Sequence, residues 1–135
     1  NKMLIFNNLS DLGLLILRLI LGIIFFHHGF PKLKNAAAMA KSMGKSTAFV
    51  FILGLVEILS SIVIILGFLT EIGAIGLSIV MFGALYYKLF KWKIPFSAYD
   101  KLGWEFDFIL LAAALALLFI GAGNISLDAI LNRWP

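Results

Sequence analysis

The chain has 135 residues, a formal net charge of +4 and no cysteine; 62% of its residues are hydrophobic and only 13% charged, with a mean hydropathy of +1.05. A soluble domain is about half apolar and a quarter charged, so this composition excludes an ordinary globular protein and points to a membrane. The missing cysteines exclude disulfides, thiolate metal sites and a redox-active thiol in this chain, and the basic balance reads first as topology, not as nucleic-acid binding.

Asn1–Ser10 reads as a short leader whose Leu4, Ile5 and Phe6 suit the interface, with Ser10-Asp11 as a helix start. No cleavable signal peptide is expected, because the first apolar run is too long, contains Arg18 and lacks a small-x-small site. The first span runs from about Leu12 to Phe30, long enough to cross about 30 Å of hydrocarbon. Thirteen of its residues are Leu, Ile or Phe. At about −0.3 to −0.6 kcal/mol each, they outweigh roughly +2.5 to +3.5 kcal/mol for a central arginine. Pro31 limits continuation, with a kinked extension through Lys34 left open. At about 100° per residue, Arg18, His28 and Lys32 fall within an arc of about 120° that also holds Gly22 and Gly29, while His27 falls opposite Arg18. An arginine is not left facing lipid, so the rest of the chain must receive this face.

Asn35–Thr47 is polar and small. As a helix it groups Lys34, Lys41 and Lys45 on one face and suits a membrane surface; a solvated loop with lysines near the headgroups accounts for the same residues. The second span runs from about Ala48 to Leu69 with Glu57 as its only charge, and Gly67–Glu71 forms a tight turn. The third runs from about Ile72 to Tyr87, where Gly73, Gly76 and Gly83 allow close helix approach. From Lys88 to Gly103 basic and aromatic residues alternate, and Pro95 prevents a regular helix. Beside two spans this pattern reads as an interfacial belt rather than an RNA-binding patch. The fourth span, from about Trp104 to Ile120, opens with Glu105 and Asp107. Ser126 is placed to cap a short terminal helix with Asp128 in its first turn, and Trp134 to anchor it at the interface. The reading is one integral membrane domain over residues 1–135, all-α, a four-helix transmembrane bundle.

A rise of about 1.5 Å per residue puts Arg18 about 18 Å and Glu57 about 14 Å from the basic-loop ends of their spans, so the two are expected to pair near the midplane. Such a pair serves either helix register or a ligand. A second polar level, His28, Lys32, Glu105 and Asp107, is expected near the basic-loop side. His27 and His28 point apart and do not offer one iron two ligands. No ligand-spacing motif supports a metal at His28, Glu105 and Asp107, and there is no phosphate loop or nucleophile motif.

Arg18 and Gly22 followed by His28-Gly29-x-x-Lys32-Leu33 resembles the first-helix signature of the DoxX-like membrane family. Leu55-Val56-Glu57 with Leu66-Gly67 resembles its second helix, Gly121-x-Gly123-x-x-Ser126-Leu127-Asp128 its C-terminal signature, and Glu105 the acidic residue that often opens its last helix. The resemblance covers nearly the whole chain. It implies a four-helix membrane protein linked to sulfur and thiol oxidation; a related protein, DoxD, is a subunit of thiosulfate:quinone oxidoreductase, and other members are placed in membrane redox complexes that help detoxify radicals.

The leading expectation is therefore a component of a membrane redox system, an oxidoreductase subunit that carries out quinone-linked oxidation of thiols or small sulfur compounds. His28 would exchange a proton with the quinone oxygen, Arg18 would stabilise negative charge with Glu57 orienting it, and Lys32, Glu105 and Asp107 would bind substrate or relay protons. No covalent cofactor and no metal are expected. The expected partners are the bilayer, a quinone and a redox partner protein, with no nucleic acid; a homo-oligomer is compatible with the sequence. The rivals are a small solute carrier or channel and a non-catalytic assembly factor.

The loops after spans one and three hold Lys32, Lys34, Lys41, Lys45, Lys88, Lys91, Lys93 and Lys101, against Lys2 and Arg133 at the termini. The positive-inside rule then makes both basic loops cytoplasmic and both termini external in the cell membrane. With no native cysteine in the way, a membrane-impermeant thiol reagent should label a cysteine at Asn132 in intact cells and spare one at Asn35. The reverse pattern would invert this topology.

Overall fold

Ser46 accepts a hydrogen bond from the Phe49 amide and opens a 20-residue helix, Thr47–Leu66; Gly67, at φ +67°, closes it in the left-handed region. This is the third helix of the computed structural model, which describes residues 2–131, with side chains from residue 9 onward. The order is α1 (Lys2–Lys34), α2 (Ala36–Met43), α3 (Thr47–Leu66), α4 (Thr70–Tyr86), a single π-helical turn (Tyr87–Lys91), α5 (Trp104–Ile120) and α6 (Leu127–Ile130). No strand occurs among the described residues. The stretch expected as a leader is instead the start of α1: no glycine or proline interrupts Lys2–Ser10, and the Asp11 carboxylate holds Asn124 rather than capping a helix start. Pro31 lies inside α1, and the helix runs on to Lys34. Trp134 and Arg133 lie outside the described residues.

Among the described residues three stretches are long and apolar enough to cross a membrane: Leu9–Lys34, Thr47–Leu66 and Thr70–Lys91. The 17-residue α5 packs along α4 and completes a four-helix bundle in which α1 lies beside α3, α3 beside α4, and α5 touches back on α1. Leu21, Phe25, Ile64, Leu77, Met81, Leu110 and Leu117 fill its centre. The outside carries large apolar side chains such as Ile79 and Phe119, a surface suited to lipid rather than water.

Glycines set the register of α1 on α3. A Cβ on Gly22 would meet Ile65 and Ser61, one on Gly29 would meet Glu57 and Gly54, and one on Gly54 would meet Lys32. Gly29 is thus level with Glu57, and Arg18 lies eleven positions earlier, about 16 Å away along the axis. The expected Arg18–Glu57 pair is absent. Its premise, that Phe30 stands level with the start of α3, fails because neighbouring Gly29 stands level with Glu57, ten residues into α3.

Arg18, 1% exposed, ties backbone instead. Its Nε donates to Ile64 O at 3.0 Å and Nη2 to Ile65 O at 2.9 Å, both in the last turn of α3; Nη1 donates to Ala122 O at 3.0 Å and Ile125 O at 2.7 Å. Those last-turn carbonyls carry the negative end of the helix dipole, so the guanidinium caps α3. The carboxylate whose charge acts on Arg18 is Asp128, not Glu57. Asp128 accepts from the Leu69 and Thr70 amides at 2.8 and 3.1 Å and so caps α4, whose N-cap residue Leu69 offers no side-chain acceptor. Ser126 caps α6 through the Ala129 amide.

Lysine has one ammonium and cannot reproduce a planar fork that reaches four carbonyls on two segments. Arg18→Lys should therefore lose about 2–3 kcal/mol of stability, the scale of one hydrogen bond to a charged group. Unfolding in mixed micelles would measure it, and wild-type stability in Arg18→Lys would contradict a structural arginine.

Candidate functional site

At the opposite end of the bundle α1 and α3 approach closely because Gly29 and Gly54 present no side chains to each other's helix. One turn beyond Gly29, Lys32 reaches across to Glu57. Its Nζ lies 2.6 Å from Oε1 and 2.8 Å from Oε2, donating to both oxygens of a side chain that is 2% exposed. A second pair forms where α4 gives way to the π turn: Lys88 Nζ lies 2.6 Å from Oδ2 of buried Asp107. Asp107 also stands in the first turn of α5, where the helix dipole favours a negative charge. The π turn carries an extra residue in its loop of hydrogen bonds, a local irregularity frequent at functional sites.

His28 lies between these pairs, half-buried, with its ring 5.6 Å from that of Phe106. Lys32, Lys88 and Asp107 all act on it electrostatically. His28, Lys32, Glu57, Lys88 and Asp107 line one cavity of about 520 Å³. The remaining wall is mostly apolar, including Phe25, Val80, Met81 and Leu110. Met43, Lys45, Tyr87 and Trp92 close it on the loop side, where Lys45 donates to the Tyr87 hydroxyl and lies 4.2 Å from the centre of its ring. About 300–1,000 Å³ with apolar walls and a few convergent polar groups is the usual form of a small-molecule site.

Of the residues expected to act together, His28, Lys32, Glu57 and Asp107 meet at this cavity. Arg18 does not line it, and Glu57 joins the cluster expected without it. Glu105 is exposed and lines a separate groove beside Phe96 and Phe108. Two residues apart on a helix are about 200° apart around it, so Glu105 and Asp107 cannot both face inward. His27 is exposed on the outside of α1. Lys45, Tyr87 and Lys88 belong to the cavity but were hidden in segments that read as headgroup lysines and an interfacial belt. Among the described residues no group of three His, Cys, Asp or Glu side chains could hold a metal ion.

Comparison with known proteins accords with this architecture. The sequence profile of the DoxX family matches residues 13–92, which include Arg18, His28, Lys32, Glu57 and Lys88. A Bacillus subtilis protein named "Putative oxidoreductase CatD" is 28% identical over 125 residues, covering 90% of this chain and 89% of that protein. No solved structure matches the chain.

The Lys32–Glu57 pair yields a direct test. Glu57→Gln leaves an uncompensated ammonium in a buried position and should cost about 3 kcal/mol, whereas exchanging the two residues should restore part of it. Equal thermal stability of Glu57→Gln and wild type in the same detergent would show that the pair does not hold α1 on α3.

Proposed function

The chain belongs to the DoxX family, and from that premise we propose a component of a membrane redox system that binds a quinone, or another small oxidisable molecule, in the cavity bounded by Lys32–Glu57 and Lys88–Asp107. The observation that carries this reading is the convergence of two lysine–carboxylate pairs and a half-buried histidine on one apolar cavity. The oxidoreductase name of the Bacillus relative supports the redox part.

The donor set fits a quinone head. Lys32 and Lys88 are donors to carbonyl oxygens, and the paired carboxylates of Glu57 and Asp107 are acceptors suited to a hydroxyl. Phe25 and Phe106 supply apolar ring contacts. A quinone bound there supplies two-electron chemistry coupled to the uptake of two protons, with electrons from a small donor or a partner protein. This chain's part is positional. Glu57 holds Lys32 in place, Asp107 does the same for Lys88, and His28 holds or releases a proton between them. Phe25 and Leu110 keep water from the inner wall. Arg18, bound to four carbonyls about 16 Å from the Glu57 level, takes no part in this chemistry. The basic loops, and with them the cavity, face the cytoplasm in the cell membrane.

Organic extraction of the purified protein should recover a quinone, and none in the extract would defeat the reading. His28→Ala should cut retention at least tenfold with protein levels unchanged, while His27→Ala stays within twofold of wild type. Damage from His27→Ala with silence at His28 would place the site on the other side of α1.

A further inference from the structure

We infer that the cavity opens sideways into the bilayer between α3 and α4, and that its ligand is amphiphilic, with a polar head at the lysine pairs and an apolar tail leaving through this opening. The inference rests on the proposed site and adds the class of molecule and its route.

The two helices are pinned together at one end and part toward the other. A Cβ on Gly73 would come within 2.6 Å of Val63, and one on Gly76 within 2.6 Å of the Ser60 hydroxyl, so at these levels the helices touch. A Cβ on Gly83 would find nothing within 4 Å. The cavity lies in the part of the wedge near Gly83. Its rim there is formed by Ile52 from α3 and by Ile79 and Gly83 from α4. Ile52 and Ile79 are 59% and 66% exposed although they line the cavity, so the same side chains face both the interior and the lipid. Ile79 stands about 10 Å inside the end of α4, at the depth of acyl chains rather than of headgroups.

The other helix pairs are in close contact, while Phe49, Trp92 and Leu102, 44%, 47% and 51% exposed, also line the cavity toward the loops. α1 and α3 are locked at Gly29 and Gly54, the α1–α5 side is filled by Phe25 and by His28 against Phe106, and α5 packs along α4. Over the loop side stands Lys45 on Tyr87. A ligand arriving from the loops passes lysine and aromatic side chains, whereas one dissolved in the membrane meets an opening lined by isoleucine. Chemistry sorts the two ends: charge at the lysine pairs and hydrocarbon at the rim match a molecule with a compact polar ring on a long apolar chain.

Gly83 allows a clean test, since a leucine there has room, suits a helix and projects into the opening. Binding is measured in nanodiscs for two quinones with the same ring, one bearing an isoprenoid tail and one without. In Gly83→Leu the affinity ratio of tailed to tail-less quinone should fall tenfold or more from its wild-type value. An unchanged ratio overturns the sideways opening and leaves the quinone reading standing. Wild-type protein that binds neither quinone defeats the quinone reading, and the opening is then decided by palmitate bearing a photoactivatable group at its chain end. Adducts on Met81 or Leu110, both buried on the cavity wall, should form in wild type and fall at least threefold in Gly83→Leu. Adducts confined to exposed Ile52 and Ile79, alike in both proteins, overturn the inference.

Discussion

The buried guanidinium of Arg18 is the interaction on which the bundle's closed end depends. A charge inside hydrocarbon is costly by itself, and here it is made tolerable by four carbonyl oxygens from a helix end and a loop. The arrangement is reciprocal, since the Ile65 carbonyl needs a donor as much as the arginine needs acceptors, while the Ile64 carbonyl also accepts from the Gly67 amide. Gly67 makes room for it: a side chain there would run into the guanidinium and into Ser126, and the φ of +67° is one that side chains rarely adopt. Asp128 completes the knot by pairing its amide with the Gly67 carbonyl and its carboxylate with the start of α4.

Rigidity at that end leaves the other end open. With α3 and α4 held at the Gly67 turn and at Gly73 and Gly76, their divergence creates the space that the lysine pairs then line. The two ends divide the polar residues between them. Arg18 and Asp128 bond mainly to backbone there, whereas Lys32, Glu57, Lys88 and Asp107 interact side chain to side chain around a cavity.

The spans were legible because each is a long apolar run, and the turn at Gly67 and the cap at Ser126 because turn and capping chemistry is local. Arg18's partners were not legible: they are backbone carbonyls, and every residue has one. Glu57 was matched to the wrong cation because depth was counted from the presumed ends of spans, whereas contact register was set by Gly22, Gly29 and Gly54 within them. One error was avoidable, since Glu105 and Asp107 stand two positions apart and helix geometry alone sends them to different faces. Lys45, Tyr87 and Lys88 lay within segments whose composition has an ordinary membrane explanation. The π turn that presents Lys88 has no marker in the residues themselves.

The long reach of Arg18 also imposes an order of events on synthesis. Its acceptors in α3 lie 46 and 47 residues downstream, and those in the C-terminal loop 104 and 107. A chain made from its N-terminus thus delivers the arginine to the membrane long before anything exists to satisfy it. Until Ala122 and Ile125 emerge, Nη1 lacks both of its acceptors and the first helix carries a partly satisfied cation within an otherwise apolar span. The nascent protein is therefore marked as incomplete by its own first helix, and a chain that stops short of residue 122 keeps that mark for as long as it survives.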